Sequence, residues 1–202
     1  MKPQEKILRM AKRNGGHIAT AEIVKESINS SYITMLLKQN KIERIALGYL
    51  CIPGTRPDEY FKVTLKCRNA VFSYATALYF HGLIEKEPDK FDVTLPLGHG
   101  GNLQKMNHLK IHYASKNTID IGVKIMKSPY GMKVRVYDLE RIVCDMIKNK
   151  KRIDPELYSK VLNDYLKSED KNIKKLLKYA RLLNIERLVN KTIKTLSKLD
   201  KQ

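Results

Sequence analysis

The segment Ile18–Pro53 constrains the fold more than any other, because it combines short helical patterns with a hairpin pattern that follows at once. Apolar residues at helical spacing predict a first helix over residues 3–14. They also predict a second helix over Ala21–Lys25, with Thr20 as its N-cap, and a third over Ser31–Gln39. Three helices within so few residues are typical of a helix-turn-helix module.

Two strand patterns follow the third helix directly. Ile42–Ile45 alternates apolar and charged residues, Tyr49–Ile52 is a second strand-like run, and Gly48 lies in the turn between them. A helix followed at once by a short hairpin is the arrangement that forms a wing. We therefore predict that the first part of the chain is a winged helix-turn-helix.

A Pro- and Gly-rich turn, Pro53–Pro57, marks a predicted domain boundary. It divides the chain into a DNA-binding domain, residues 1–53, and a larger domain, residues 58–202. The larger domain begins with predicted helices over Asp58–Cys67 and Ala70–Phe80. Strands are predicted at Phe91–Leu95, Leu109–Tyr113, Gly122–Met126 and Lys133–Val136, before helices at 137–148, 155–167, 171–182 and 185–198. This order of helices, small sheet and helices predicts the α+β class.

A recognition helix needs polar side chains near its start that reach base edges, together with cations and hydroxyls that contact phosphates. The third helix offers hydroxyls, one tyrosine and one lysine, but few side chains for bidentate base reading, so we expect phosphate and shape contacts to contribute much. The alternative is an ordinary surface helix, with Arg44 paired to Glu43 in solvent. The predicted DNA-binding residues are Thr20, Ser30, Ser31, Tyr32, Thr34, Lys38, Lys41 and Arg44.

The charge of the chain favours polyanionic partners. The formal net charge is +18 and the pI is about 9.8. Residues 148–202 carry 16 basic and 7 acidic side chains, which is half of the net charge. A second surface, for a polyanion or for antitoxicity, is predicted at Lys171, Lys174, Lys175, Lys178, Arg181 and Lys191. The alternatives are a solvated helix face and, for function, an RNA-binding regulator that uses these helices.

Two further patterns are weaker. The loop Gly98–Gly101 lacks the Lys-Ser/Thr of a phosphate-binding loop, so a plain loop is favoured over a phosphate site. His99, His108 and His112 lie at irregular spacing without accompanying cysteines, which favours surface histidines over a metal site. We therefore predict no metal and no cofactor.

Acidic residues in the helix after the last strand leave an enzymatic alternative open. Asp138, Glu140 and Asp145 lie within two helical turns, and such carboxylates can hold Mg²⁺ in a nuclease or nucleotidyltransferase. The favoured interpretation is an N-cap, a first-turn acid and an ion pair to Arg141 or Lys148. On this interpretation the protein is not an enzyme.

The sequence also suggests a location. Its three cysteines have no metal-type spacing, which favours a reducing compartment. The first residues alternate charges and lack the apolar core of a signal peptide, and no uncharged run is long enough to span a membrane. We expect a cytoplasmic protein that does not bind membranes.

Three blocks of the sequence resemble the AbiEi-type antitoxins of bacterial AbiE abortive-infection systems, which are type IV toxin–antitoxin systems. The blocks are Lys41–Pro53, Phe72–Leu83 (FSYATALYFHGL) and Val136–Met146 (VYDLERIVCDM), in the order of the family. One departure concerns the wing, where Leu47 replaces the basic residue that often precedes the wing glycine. Arg44 and Lys41 are then the expected phosphate contacts.

The resemblance implies a transcriptional autorepressor whose winged domain binds repeats in its own promoter DNA. It also implies an antitoxin in phage defence, in which the larger domain counteracts a nucleotidyltransferase-like toxin encoded next to it. In that family no stable complex between toxin and antitoxin is required.

Overall fold

A computed structural model describes residues 1–98 and 103–199 of the chain. The described chain is a mixture of helices and two small sheets, which confirms the predicted α+β class. It divides into two compact units. The first unit consists of Met1–Arg68 and Ile125–Val134, and the second of Asn69–Lys124 and the residues from Arg135 onward.

The first unit begins with three helices and three short strands. The strands form an antiparallel sheet in the order β1-β3-β2, with a register irregularity between Arg44 and Ala46. The α3 helix ends at Lys38, and the hairpin of β2 and β3 follows after four residues. The elements are α1 (Pro3–Arg13), β1 (His17–Ala19), α2 (Thr20–Lys25), α3 (Ser31–Lys38), β2 (Glu43–Ala46), β3 (Tyr49–Cys51) and α4 (Glu59–Lys66).

The core of the first unit forms because each helix carries one apolar stripe. These stripes pack against the apolar side of the small sheet, which removes them from water. The buried side chains in this cluster are Ile7, Ala11, Ile18, Ile23, Ile33, Leu36, Ile42 and Leu50.

A second apolar cluster attaches α4 and the segment Ile125–Val134 to the first unit. Phe61 of α4 and Met132 pack with Tyr49 on the sheet, and all three are buried. The predicted boundary at Pro53 therefore falls inside a compact unit, because the chain beyond it continues to bury apolar area against β3.

Asp58 organises this junction within the first unit. Its carboxylate caps α4 by accepting a hydrogen bond from the Phe61 amide at 3.0 Å, and it accepts another from the Ser128 hydroxyl. The Ser128 oxygen in turn accepts from the amides of Tyr130 and Met132 at 3.2 and 3.1 Å. Burial raises the pKa of Asp58, while these donors oppose the shift.

His17 gives the first unit a pH dependence. Its Nδ1 lies 2.9 Å from the Tyr49 hydroxyl, and that hydroxyl accepts from the Asp58 amide at 2.7 Å. Burial lowers the pKa of His17 below its usual 6.5. The unfolded chain then binds more protons below pH 6.5, and the free energy of unfolding falls as the pH drops.

We expect this loss to reach at most about 1.4 kcal/mol per pH unit as the pH falls below about 6.5. The measurement is urea unfolding at a series of pH values on both sides of about 6.5, compared with His17→Gln, whose side-chain amide can still bond to the Tyr49 hydroxyl but does not titrate. Asp58 acts with the opposite sign, since burial raises its pKa. Identical pH dependence in both proteins would exclude His17 as the source.

The second sheet has five strands, and all of it except residues 125–127 and 133–134 belongs to the second unit. The described residues of this unit also contain five helices. The strand order is β6-β5-β4-β8-β7, where β5 and β6 are parallel, β4 and β8 are parallel, and β4 and β5 are antiparallel. The strands are β4 (Val71–Phe72), β5 (Phe91–Pro96), β6 (Leu109–Ala114), β7 (Val123–Lys127) and β8 (Lys133–Tyr137). The helices are α5 (Tyr74–Phe80), α6 (Leu139–Lys148), α7 (Pro155–Lys167), α8 (Ile173–Leu182) and α9 (Glu186–Leu199).

Two local predictions were wrong. The predicted helix over Ala70–Phe80 is instead strand β4 followed by α5, because Val71 and Phe72 pair with β5. Ser73 ends the strand, its amide donating to the Asp92 carbonyl at 3.0 Å.

Thr20 is the first residue of α2 rather than its N-cap. Its amide donates to the Gly48 carbonyl at 2.9 Å, so the hairpin already provides a hydrogen-bond acceptor for this amide.

Candidate nucleic-acid interface

The α3 helix presents a polar side to solvent. Ile33 and Leu36 face the core, which leaves Ser31, Thr34 and Lys38 exposed at helical spacing. Ser30 is also exposed, immediately before the helix. The Asn29 side chain accepts a hydrogen bond from the Ser31 amide at 2.8 Å and so caps the helix start. Hydroxyls and one ammonium group therefore share the accessible side of this helix.

Two predicted DNA-binding residues are less accessible than their neighbours. Tyr32 is half-buried and packs against the core of the first unit. Thr20 is also half-buried, at the start of α2 beside the turn of the hairpin. Direct contact with DNA is available more readily to the side chains of α3 and the hairpin.

Lys41 and Arg44 supply cations next to α3. Both are exposed, and neither forms an ion pair within the residues that the structure describes. Glu43, the proposed partner of Arg44, instead accepts a hydrogen bond from the Cys51 thiol at 3.3 Å. Unpaired guanidinium and ammonium groups at this place are suited to phosphate.

The hairpin tip is apolar. Leu47 is 88% exposed between β2 and β3, next to Gly48, whose φ is +78°. Exposure of a leucine side chain to water is unfavourable, and a partner that covers it removes this apolar surface from water. The tip therefore offers an apolar contact of defined shape. The two cations lie on strand β2 and in the segment before it.

The predicted second surface on α8 and α9 is uneven. Lys171, Lys174, Lys178 and Lys191 are exposed. Arg181 is exposed but paired with Glu186 at 2.7 Å. Lys175 differs most, because its ammonium lies 2.8 Å from both Asp138 and Glu140. It is a structural cation, and its charge is not available to a polyanion.

The acidic side chains of α6 and of its N-cap are paired with basic side chains. Asp138 caps α6 by accepting from the Arg141 amide at 2.9 Å, as predicted for an N-cap. Asp145 accepts from Arg141 Nε at 3.0 Å. Burial raises the pKa of Asp145, and the Arg141 guanidinium opposes that shift. Within the described residues no group of three acidic, histidine or cysteine side chains has the arrangement of a metal site.

His108 and His112 make separate contacts in the described structure. His112 pairs with Asp92, with 2.7 Å between Nε2 and Oδ1. His108 lies edge-on to the Phe91 ring, with 5.8 Å between the ring centroids. His99 lies outside the described residues, as does the predicted loop beyond Gly98.

A second set of cations escaped the sequence prediction. The residues Lys148-Asn149-Lys150-Lys151-Arg152, here called the basic segment, link α6 to α7 and include a 3-10 turn at Lys150–Arg152. Four cations in five residues were the available signal. A pattern of helical spacing does not include them, because the segment apart from Lys148 is not α-helical.

Comparisons with known proteins give little help. No known family matches the sequence, and no curated protein matches it. Among solved structures, the chain is similar to the crystal structure of the RV2827C protein from Mycobacterium tuberculosis, with 11% sequence identity and a TM-score of 0.41. The similarity covers 91% of this chain and 77% of that chain. A similarity at this level supports no conclusion about the function of this chain.

Membrane insertion has no structural support in the described helices. None of them combines the length and the apolar character that crossing a bilayer requires.

Proposed function

We propose that this protein is a DNA-binding transcriptional repressor of its own promoter and the antitoxin of a toxin–antitoxin system. In this proposal α1–α3 and the β2–β3 hairpin act as a winged helix-turn-helix. The supporting observation is the element order helix, strand, helix, helix, hairpin, in which the exposed side of α3 adjoins unpaired Lys41 and Arg44. The predicted set of contacts is α3 in the major groove and the hairpin on phosphate or minor groove.

The antitoxin half of the proposal has a different basis. It rests on the resemblance of three sequence blocks to AbiEi-type antitoxins, whose toxin partners are nucleotidyltransferase-like proteins. A gene for such a protein beside the gene of this chain would support the pairing. The functional test is rescue of growth by the full-length protein when that neighbouring gene is induced, and failure of rescue would contradict it.

DNA binding predicts a steep dependence on salt. Specific binding to a repeat upstream of the gene should weaken with salt, with a slope in log–log form of about 0.9 for each phosphate contacted. Anisotropy of labelled upstream DNA, against a scrambled duplex, measures both affinity and slope. An absent or salt-insensitive interaction would count against the repressor.

Removing single cations tests where the DNA binds. We expect Arg44→Ala and Lys38→Ala each to weaken binding several-fold and to reduce the salt slope by about 1, since each removes one phosphate partner. Lys66→Ala is the matched control, an exposed lysine on α4 of the same unit. If Arg44→Ala binds as tightly as the control, Arg44 lies outside the interface.

An RNA-binding regulator is the second candidate. It is favoured by the charge of residues 148–202 and by exposed cations in the second unit. Binding of structured RNA and of promoter DNA at one salt concentration separates the two functions. Tighter binding to RNA that is unaffected by Arg44→Ala would favour this candidate over the repressor.

A further inference from the structure

The basic segment concentrates exposed cations within five consecutive residues of the second unit. Lys148, Lys150, Lys151 and Arg152 are all exposed, and none forms an ion pair within residues 1–98 and 103–199. Lys150 lies over the Tyr158 ring, 5.0 Å from its centroid. Arg152 closes the turn through its amide, which donates to the Asn149 carbonyl at 2.8 Å. The short turn thus holds these cations close together, and Lys148 also interacts electrostatically with the Asp145 carboxylate.

A cavity of about 680 Å³ borders this segment on one side. Its other wall comes from α9, which contributes Lys191 and the hydroxyls of Thr192 and Thr195. No aspartate or glutamate is among its lining residues. A concave surface lined by charges of one sign concentrates the electrostatic potential and attracts anions.

A second cavity, of about 410 Å³ and here called the apolar cavity, shares Asn149 and Arg152 with the first. Its volume lies in the range of small-molecule sites, and mostly apolar walls with a few polar groups are characteristic of such sites. The apolar wall consists of Ala75, Leu78, Ile111, Met146, Ile153 and Leu157.

One end of the apolar cavity is polar. The buried Asp92 carboxylate accepts from His112 at 2.7 Å, and the Lys110 ammonium lies 3.7 Å away. A paired acceptor and donor suit the hydrogen-bonding edge of a heterocycle better than the end of an alkyl chain. The side chains that line the apolar cavity therefore suit a compact aromatic or heterocyclic group.

Tyr74 lies on the wall of the same cavity in a strained conformation. Its φ is +44°, a left-handed value that side chains rarely adopt. The Asn149 amide donates to its hydroxyl at 2.8 Å, and its ring lies 4.2 Å from the His112 ring, measured between centroids. Such strain persists only where the surroundings impose it, and it is concentrated at binding sites.

We propose that the apolar cavity and the basic segment together bind a nucleoside phosphate. The nucleoside lies in the apolar cavity beside Tyr74, with its base edge towards Asp92 and His112. The phosphates lie on Arg152 and Lys151 where the two cavities meet. The source is either a free nucleotide or the terminal nucleotide of a strand, and this site is independent of DNA binding by α3.

The test uses the full-length protein and two kinds of probe. The probes are fluorescent ribonucleoside triphosphates, and short labelled single strands that carry a 5′-phosphate. We expect saturable binding of at least one probe, which unlabelled nucleotide displaces. Arg152→Glu and Lys151→Glu should each weaken it by about tenfold or more, because each replaces a charge-assisted contact with repulsion.

Three variants make the result specific. Lys160→Glu makes the same change of charge on the exposed side of α7 and should alter binding by no more than about twofold. Tyr74→Gly removes the ring while relieving the positive φ, so it should keep the fold and lose affinity. Lys66→Glu, on α4 of the first unit, should leave binding of the short strands unchanged.

The outcomes separate the sources of the ligand. Binding of free nucleotides identifies a soluble ligand, and binding of the strands alone, lost in Lys151→Glu, identifies a strand terminus. The proposal is overturned if neither probe binds saturably, or if Lys160→Glu weakens binding as much as Lys151→Glu. It is also overturned if inorganic pyrophosphate displaces the probe as well as nucleotide does, since the nucleoside then contributes nothing.

Discussion

Replacing Arg141 with alanine is expected to lower the free energy of unfolding by about 3–5 kcal/mol. Arg141 is only 3% exposed, and its Nε donates to Asp145 at 3.0 Å. Its Nη1 donates to the carbonyl oxygens of Thr118 and Ile121 at 2.6 and 2.8 Å. The loss is large because it leaves a buried carboxylate and two carbonyl oxygens without their donor.

Packing adds to this effect. The guanidinium carbon of Arg141 lies 4.3 Å from the centroid of the buried Tyr137 ring, so truncation also removes a cation–π contact. The measurement is urea unfolding followed by circular dichroism. Arg181→Ala is the matched control, because Arg181 is paired with Glu186 but its side chain is 67% exposed. We expect that control to cost no more than about 1 kcal/mol.

A double variant identifies the cause of the loss. If the uncompensated charge of Asp145 dominates, Arg141→Met combined with Asp145→Leu should recover part of the stability that Arg141→Ala loses. Equal losses for Arg141→Ala and Arg181→Ala would show that burial of the pair contributes nothing beyond a surface ion pair.

Replacing Gly131 with alanine is expected to destabilise the first unit by about 2–5 kcal/mol. Gly131 has a φ of +102°, and an added Cβ would lie 2.6 and 2.7 Å from the main-chain carbon and oxygen of Asn14. These atoms belong to the backbone and cannot rotate away as the end of a flexible side chain does. The substitution therefore forces the segment containing Gly131 away from the end of α1.

Gly54→Ala is the control for the backbone conformation alone. Its φ is +80°, and an added Cβ would meet nothing within 4 Å. We expect it to cost about 1–2 kcal/mol, the penalty for a side chain at positive φ. Thermal unfolding of both variants measures the difference. Equal shifts in the two would mean that the approach of Gly131 to Asn14 has no energetic effect.

The local structure of the first unit was predictable because its signals are local. Ile7 and Ala11, and then Ile33 and Leu36, repeat at helical spacing, and Gly48 marks the turn of the hairpin. The exposed side of α3 follows directly from which residues face inward. The participation of Ile125–Val134 in this unit carries no such signal, since it depends on contacts such as Ser128 with Asp58, 70 residues apart in the sequence.

The error at β4 and α5 has a different origin. A short apolar run is compatible with a buried strand and with a buried helix, and periodicity does not separate them. Only pairing of Phe72 with Val93 and Val136 makes the run a strand, and those partners lie far along the chain. The strained φ of Tyr74 is equally invisible in its sequence.

The cationic surfaces show the limit of charge patterns. Lys174, Lys175 and Lys178 all belong to the basic side of one predicted helix. Only the fold reveals that Lys175 is neutralised by Asp138 and Glu140. Conversely, only the fold shows that the cavity beside the basic segment has no aspartate or glutamate among its lining residues.

The division of the chain has a consequence for its synthesis. The first unit is interrupted, since its last part, Ile125–Val134, follows most of the sheet of the second unit in the chain. A ribosome must therefore translate 134 of the 202 residues before this unit has all its parts. While the 70 residues from Asp58 to Ser128 are translated, the Asp58 carboxylate lacks its Ser128 donor and Tyr49 lacks its contact with Met132. Completion of the unit with the proposed DNA-reading helix is thus a late event on the ribosome.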